Sequence, residues 1–134
     1  MNNFQNPGAA WQHGDLTERI IGIALEVINE LGAGFLESVY RKAMVVALKD
    51  AGLLSEPHVP ITVCFRGRDV GAFEADILVD QRVLVELKAN KGITGQDQAQ
   101  TINYLKATGI EVGLLINFGR PRLEWRRLYN EGAK

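Results

Sequence analysis

Glu86-Leu87-Lys88 closes a short apolar stretch, and Asp76 stands upstream of it across a polar turn. Strand alternation over Val83–Lys88 would put Leu84, Glu86 and Lys88 on one face and Val83, Val85 and Leu87 on the other. Asp76, on the preceding strand, is then expected beside Glu86. Two neighbouring carboxylates repel, and burying both is costly unless a cation joins them. Oxygen donors of this kind suit Mg²⁺ or Mn²⁺. A lysine on the same face can orient a water or stabilise charge growing on a phosphoryl oxygen. The chemistry open to such a set is metal-assisted phosphodiester hydrolysis. Most Glu-x-Lys pairs in strands are solvated ion pairs, so the reading depends on Asp76 and on the elements that would carry all three residues.

Those elements can be read along the chain. Asp15 and Glu18 fit a capping box. Leu16, Ile20, Ile23, Ala24, Val27, Ile28 and Leu31 follow at helical spacing, and Gly32 ends the helix. After a turn at Gly34, Leu36, Tyr40, Ala43, Met44, Ala47, Leu48 and Ala51 mark the stripe of a second helix, stopped by Gly52. Pro57 and Pro60 exclude a third helix directly after it. Val59, Ile61, Val63 and Phe65 alternate as a strand does, Gly67–Gly71 reads as a hairpin loop, and Phe73–Val79 as the returning strand. Asp80-Gln81 is a tight turn before Val83–Lys88. Thr94 can cap a helix running to about Thr108, with Ala99, Ile102 and Leu105 inward and Gly109 closing it. Val112–Ile116 reads as a buried strand and Trp125–Tyr129 as a last one. The predicted order is α-α-β-β-β-α-β(-β), an α/β fold. Residues 1–14 are expected to be a flexible tail and 15–130 a single domain.

The composition is that of a globular chain: 134 residues, 46% hydrophobic and 23% charged. A net charge of −1 counts against gripping nucleic acid by bulk electrostatics. It does not exclude a metal site with a local basic patch, for which Arg120, Arg122, Arg126 and Arg127 are candidates. No stretch is long and apolar enough for a membrane and no signal segment is visible, so no membrane partner is expected and the expected location is the cytoplasm. Cys64, the only cysteine, rules out an internal disulfide and a cysteine-based metal site, and is expected to be a small buried hydrophobe. His13 and His58 are too isolated for zinc or a Ser-His-Asp site, and Gly32-x-Gly34 lacks the context of a dinucleotide loop.

Gly34-Phe35-Leu36-Glu37-Ser38-Val39-Tyr40 resembles the Gly-x-x-Glu-x-x-Tyr signature of the GxxExxY proteins, a branch of the PD-(D/E)XK nuclease superfamily. Ala75–Val79, Val85–Ala89, Gln100 with Asn103–Leu105, and Gly113–Gly119 extend the similarity over about Asp15 to Trp125. The resemblance implies a restriction-endonuclease-like core, a mixed central sheet flanked by helices. It implies Asp76 and Glu86 as metal ligands, Glu37 as a further ligand, Lys88 as the catalytic lysine and Gln100 as a residue contacting water or phosphate. Mg²⁺ or Mn²⁺ would be the cofactor and nucleic acid, DNA before RNA, the partner, with a homodimer as one way to reach two strands. The alternative is a catalytically silent nuclease fold that binds nucleic acid or a protein. Ala75 stands where the superfamily's name has proline. Independently, a carboxylate at Glu37 is favoured by the start of its helix, and Tyr40 is expected to pack with its hydroxyl hydrogen-bonded.

Overall fold

The structure, a computed structural model, describes residues 13–130; of the expected tail, only His13 and Gly14 fall among them. The elements are α1 (Gly14–Leu31), α2 (Glu37–Asp50), β1 (Ser55–Phe65), β2 (Arg68–Val79), β3 (Val83–Lys88), α3 (Gly95–Thr108), β4 (Val112–Asn117) and β5 (Glu124–Tyr129). The strands form one sheet in the order β1-β2-β3-β4-β5. β3 and β4 run parallel, joined through α3, and the other neighbours are antiparallel. This is the mixed sheet with flanking helices expected of a restriction-endonuclease-like core.

Alternation along β3 separates two cores. Val83, Val85 and Leu87 pack with Ile20, Ala24, Tyr40, Met44 and Leu48 under α1 and α2. Leu84 packs with Ile61, Tyr104, Leu105 and Leu115 under α3. β3 and β4 are buried on both sides and read as near-continuous apolar runs, whereas edge strand β1 tolerates Pro57 and Pro60.

Several local expectations are corrected. His13, not Asp15, is the N-cap of α1, and it makes no side-chain cap bond; Asp15 sits in the first turn, where its charge meets the helix dipole. Leu36 precedes α2 and is exposed, so the inner stripe starts at Tyr40. The β1–β2 turn is only Arg66-Gly67, both at positive φ, and β2 pairs on from Arg68, because two successive left-handed residues match the twist of a hairpin. Cys64 is exposed, its thiol donating to Asp69 at 3.4 Å; on an edge strand the outward face has nothing to cover it. Ala99 is exposed on α3, whose buried residues are Thr101, Tyr104 and Leu105. The capping box that does form is Thr94 with Asp97.

Candidate active site

β2 and β3 pair from Val79↔Val83 to Ile77↔Val85 and then stop. Beyond that point two side chains replace the ladder. The Asp76 N–H donates to Glu86 Oε1 and the Leu87 N–H donates to Asp76 Oδ2, both at 2.8 Å. Each carboxylate thus occupies a main-chain donor that the departing strand leaves behind. The parting is also seen in the packing: Ile77 belongs to the core under α1 and α2, while Ala75, two residues earlier, belongs to the core under α3. Asp76 lies where β2 changes over. The expected adjacency of Asp76 and Glu86 is met, and it is set by the main chain as well as by proximity.

Glu86 is only 5% exposed. Burial, and next the Asp76 charge, push its pKa to about 8, although the N–H of Asp76 and the Lys88 charge oppose this. Glu37 also has a raised pKa, from burial first and the Asp76 charge second, with Lys88 and Arg41 opposing. Three acids therefore bear on one another. Among the described residues, no three His, Cys, Asp or Glu side chains gather as a ready-made metal cage. The donor set still suits a hard cation: carboxylates on adjacent strands whose charges oppose each other, Glu86 buried and Asp76 partly so.

Lys88 extends toward α3. Its Nζ donates to Gln100 Oε1 at 3.3 Å and lies 3.9 Å from Asp97 Oδ1. Gln100 is thus beside Lys88, and Tyr104, one turn on, has its hydroxyl pKa raised by burial, then by Glu86 and Asp76. Two residues at this place were not singled out by the sequence reading. Arg41 reaches Asp76 Oδ1 at 3.4 Å from α2, and Asp97 faces Lys88 while also closing the cap of α3. The signal for Arg41 was its position four residues after Glu37, on the same helical face.

The Gly-x-x-Glu-x-x-Tyr segment has a structural logic. Gly34 takes φ 114° in the turn before α2, a value that favours glycine. Glu37 opens α2. Tyr40, fully buried, reaches back to donate to Gly32 O at 2.6 Å and accepts from the Phe35 N–H at 3.2 Å. Its ring stacks on Phe118 at 4.7 Å, and the Phe118 N–H donates to Lys88 O at 2.8 Å. Tyr40 therefore joins the turn carrying Glu37 to the strand end carrying Lys88.

The candidate arginine patch is divided. Arg120 and Arg126 approach Glu124 at 4.0 and 3.7 Å. Arg127, next along β5 and so on its other face, lies against the Tyr129 ring and is partly buried.

The sequence profile of the PD-(D/E)XK nuclease superfamily matches residues 14–128. The chain belongs to that superfamily. The crystal structure of SSO0001 resembles this fold with a TM-score of 0.56 over 92% of the chain, at 15% identity; the chain spans 62% of that structure's length. No curated protein matches the sequence. Asp76, Glu86 and Lys88 are thus set at the parting of two strands in a superfamily named for an Asp, an acidic residue and a Lys. No helix among the described residues is long and apolar enough to cross a membrane.

Proposed function

We propose that this protein is a divalent-metal-dependent nuclease of the GxxExxY branch, acting through one domain over residues 15–130. The observation that carries the reading is the interlock of Asp76 and Glu86, in which each carboxylate accepts a main-chain N–H across the parting strands, with Glu86 two residues before Lys88. Asp76 and Glu86 would hold Mg²⁺ or Mn²⁺, with Glu37 as the next oxygen donor. When bound, the ion supplies Lewis-acid stabilisation and lowers the pKa of a nearby water. Lys88, steadied by Gln100, places its ammonium where charge grows on the phosphoryl oxygen. Superfamily membership supports nucleic acid as the substrate class; DNA is chosen over RNA on the resemblance to the GxxExxY proteins alone.

The purified chain should cut nucleic acid in Mg²⁺ or Mn²⁺, and Asp76→Ala or Lys88→Ala should lower the rate about a hundredfold or more. Equal cleavage by wild type and both variants would assign the activity to a contaminant. A second reading is favoured by one contact. The Arg41 guanidinium beside Asp76 balances that carboxylate without an ion, as suits a silent module that only binds. Calorimetry separates the two: Mn²⁺ binding that vanishes in Asp76→Asn supports the nuclease. An intact fold that takes up no Mn²⁺, even as Arg41→Ala, supports the silent module.

A further inference from the structure

A groove of about 920 Å³ runs from Lys88 between α3 and the β1–β2 hairpin. Lys88 and Gln100 line it at one end, so it is continuous with the candidate active site. Its walls differ from those of a channel that grips phosphates. α3 presents Gln96, Gln100 and Asn103 to it, spaced by four and three residues along one helical face. The hairpin presents Phe73, whose ring is half exposed and lies 5.8 Å from Tyr104 at 40°. Past the groove the hairpin continues into exposed Phe65, with the Arg66 guanidinium 4.9 Å from its ring centroid. Of the two lysines in the groove, Lys88 already faces Asp97.

Amides and an open aromatic face are groups that meet bases. Asn and Gln both donate to and accept from base edges, and an aromatic ring stacks on a base of any sequence. Phosphate contacts are made mainly by Lys and Arg; here these are Lys88, which faces Asp97, and Lys106, in a lining otherwise of amide, aromatic and small side chains. A base inside a duplex has both faces covered by its neighbours, so only an unpaired base can lie on Phe73. The volume is that of a ligand pocket, within the range of about 300–1,000 Å³, and suits a short unpaired stretch. We infer that this groove holds unpaired bases of a single-stranded nucleic acid, beside the phosphate presented to Asp76, Glu86 and Lys88. The place of the cut rests on the nuclease reading; the binding of unpaired bases does not. One copy of the chain suffices for such a substrate, so the pairing of subunits that cutting both strands of a duplex invites is not required.

The test is fluorescence anisotropy with the full chain in EDTA. The probes are a single strand of about twelve nucleotides, as DNA and as RNA, and the matching DNA duplex. The single strand should bind at least about tenfold more tightly than the duplex. Phe73→Ala should weaken single-strand binding about tenfold or more, and Asn103→Ala, at an exposed helix position that folding tolerates, should weaken it less. Duplex binding as tight as single-strand binding would overturn the inference, as would wild-type affinity in both variants or no single-strand binding at all. Whichever of the DNA and RNA strands binds more tightly names the sugar. Cleavage is then scored separately in Mn²⁺. Tight single-strand binding that depends on Phe73, without cleavage, sinks the nuclease reading and leaves the groove. Cleavage in Mn²⁺ together with single-strand binding that is absent or indifferent to Phe73→Ala sinks the groove and leaves the nuclease.

Discussion

Glu86 Oε1 accepts the backbone N–H of Asp76 at 2.8 Å, so the candidate ligand on β3 is fixed to the residue that carries the other. The return bond, from the Leu87 N–H to Asp76 Oδ2, closes the exchange. Neither carboxylate can swing away without leaving a main-chain donor unpaired, at a cost of about 1–3 kcal/mol. The pair is therefore held together although its charges repel, and the consequences can be measured.

The first concerns stability. With its folded pKa raised from 4.5 to about 8, Glu86 favours the folded state fully only below about pH 4.5, where it is protonated in both states. Between there and pH 8 the unfolded chain gives up the proton and the folded one keeps it, so metal-free stability falls as pH rises. The loss is on the order of 5 kcal/mol when complete. Glu86→Gln removes this dependence. In EDTA its urea midpoint should exceed that of the wild type near pH 8, with the gap closing toward pH 4.5. A gap that does not change with pH would show that Glu86 is not the titrating group.

The second concerns metal. A ligand must be deprotonated to bind a cation, so Mn²⁺ affinity should rise by about tenfold per pH unit between about pH 6 and pH 8 and then level off. Calorimetry in buffers of different ionisation enthalpy should also detect proton release. Glu86→Gln should bind more weakly and lose most of the pH slope.

Tyr40→Phe keeps the stacking on Phe118 and loses the hydroxyl that bridges Gly32 O and the Phe35 N–H. The expected cost is about 1–2 kcal/mol of stability, read by denaturant unfolding. Because the turn it holds carries Glu37, kcat for cleavage should fall, by no more than Glu37→Gln lowers it. If Tyr40→Phe unfolds earlier but cuts at the wild-type rate, the turn does not position the site.

Gly119→Ala tests the loops behind Lys88. A Cβ at Gly119 would overlap the main-chain N, C and O of Asn90, and backbone cannot rotate aside as a side chain can. Asn117, fully buried, ties the same loops by accepting from the N–H groups of Asn90 and Gly119 and donating to Asn90 O. The substitution should cost about 3 kcal/mol or more, visible as a lower thermal midpoint, and should displace the strand end that bears Lys88. A midpoint equal to wild type would mean that the loops can part without loss.

Much of the fold was legible because local physics dictates it. Gly32 and Gly109 end helices, Thr94 caps α3, Asp80-Gln81 turns with both residues at positive φ, and apolar runs over β3 and β4 announce strands buried on both faces. Errors fell where a neighbour decides. Cys64 stands between Val63 and Phe65, and Ala99 falls at helical spacing from Ile102, but both are exposed, one on an edge strand and the other on α3. Period alone cannot say which side of an element the rest of the chain will cover.

The candidate site divides in the same way. Alternation along β3 and the short Asp80-Gln81 turn already require Asp76, Glu86 and Lys88 to share one end of paired strands, because they leave little freedom. Packing adds that β2 and β3 part at Asp76, that the two carboxylates take over the lost ladder bonds, that Arg41 and Asp97 join them, and that a groove of amides and aromatic rings leads away from Lys88. These relations link residues distant along the chain on different elements, so they depend on how the helices settle on the sheet, which no local pattern records.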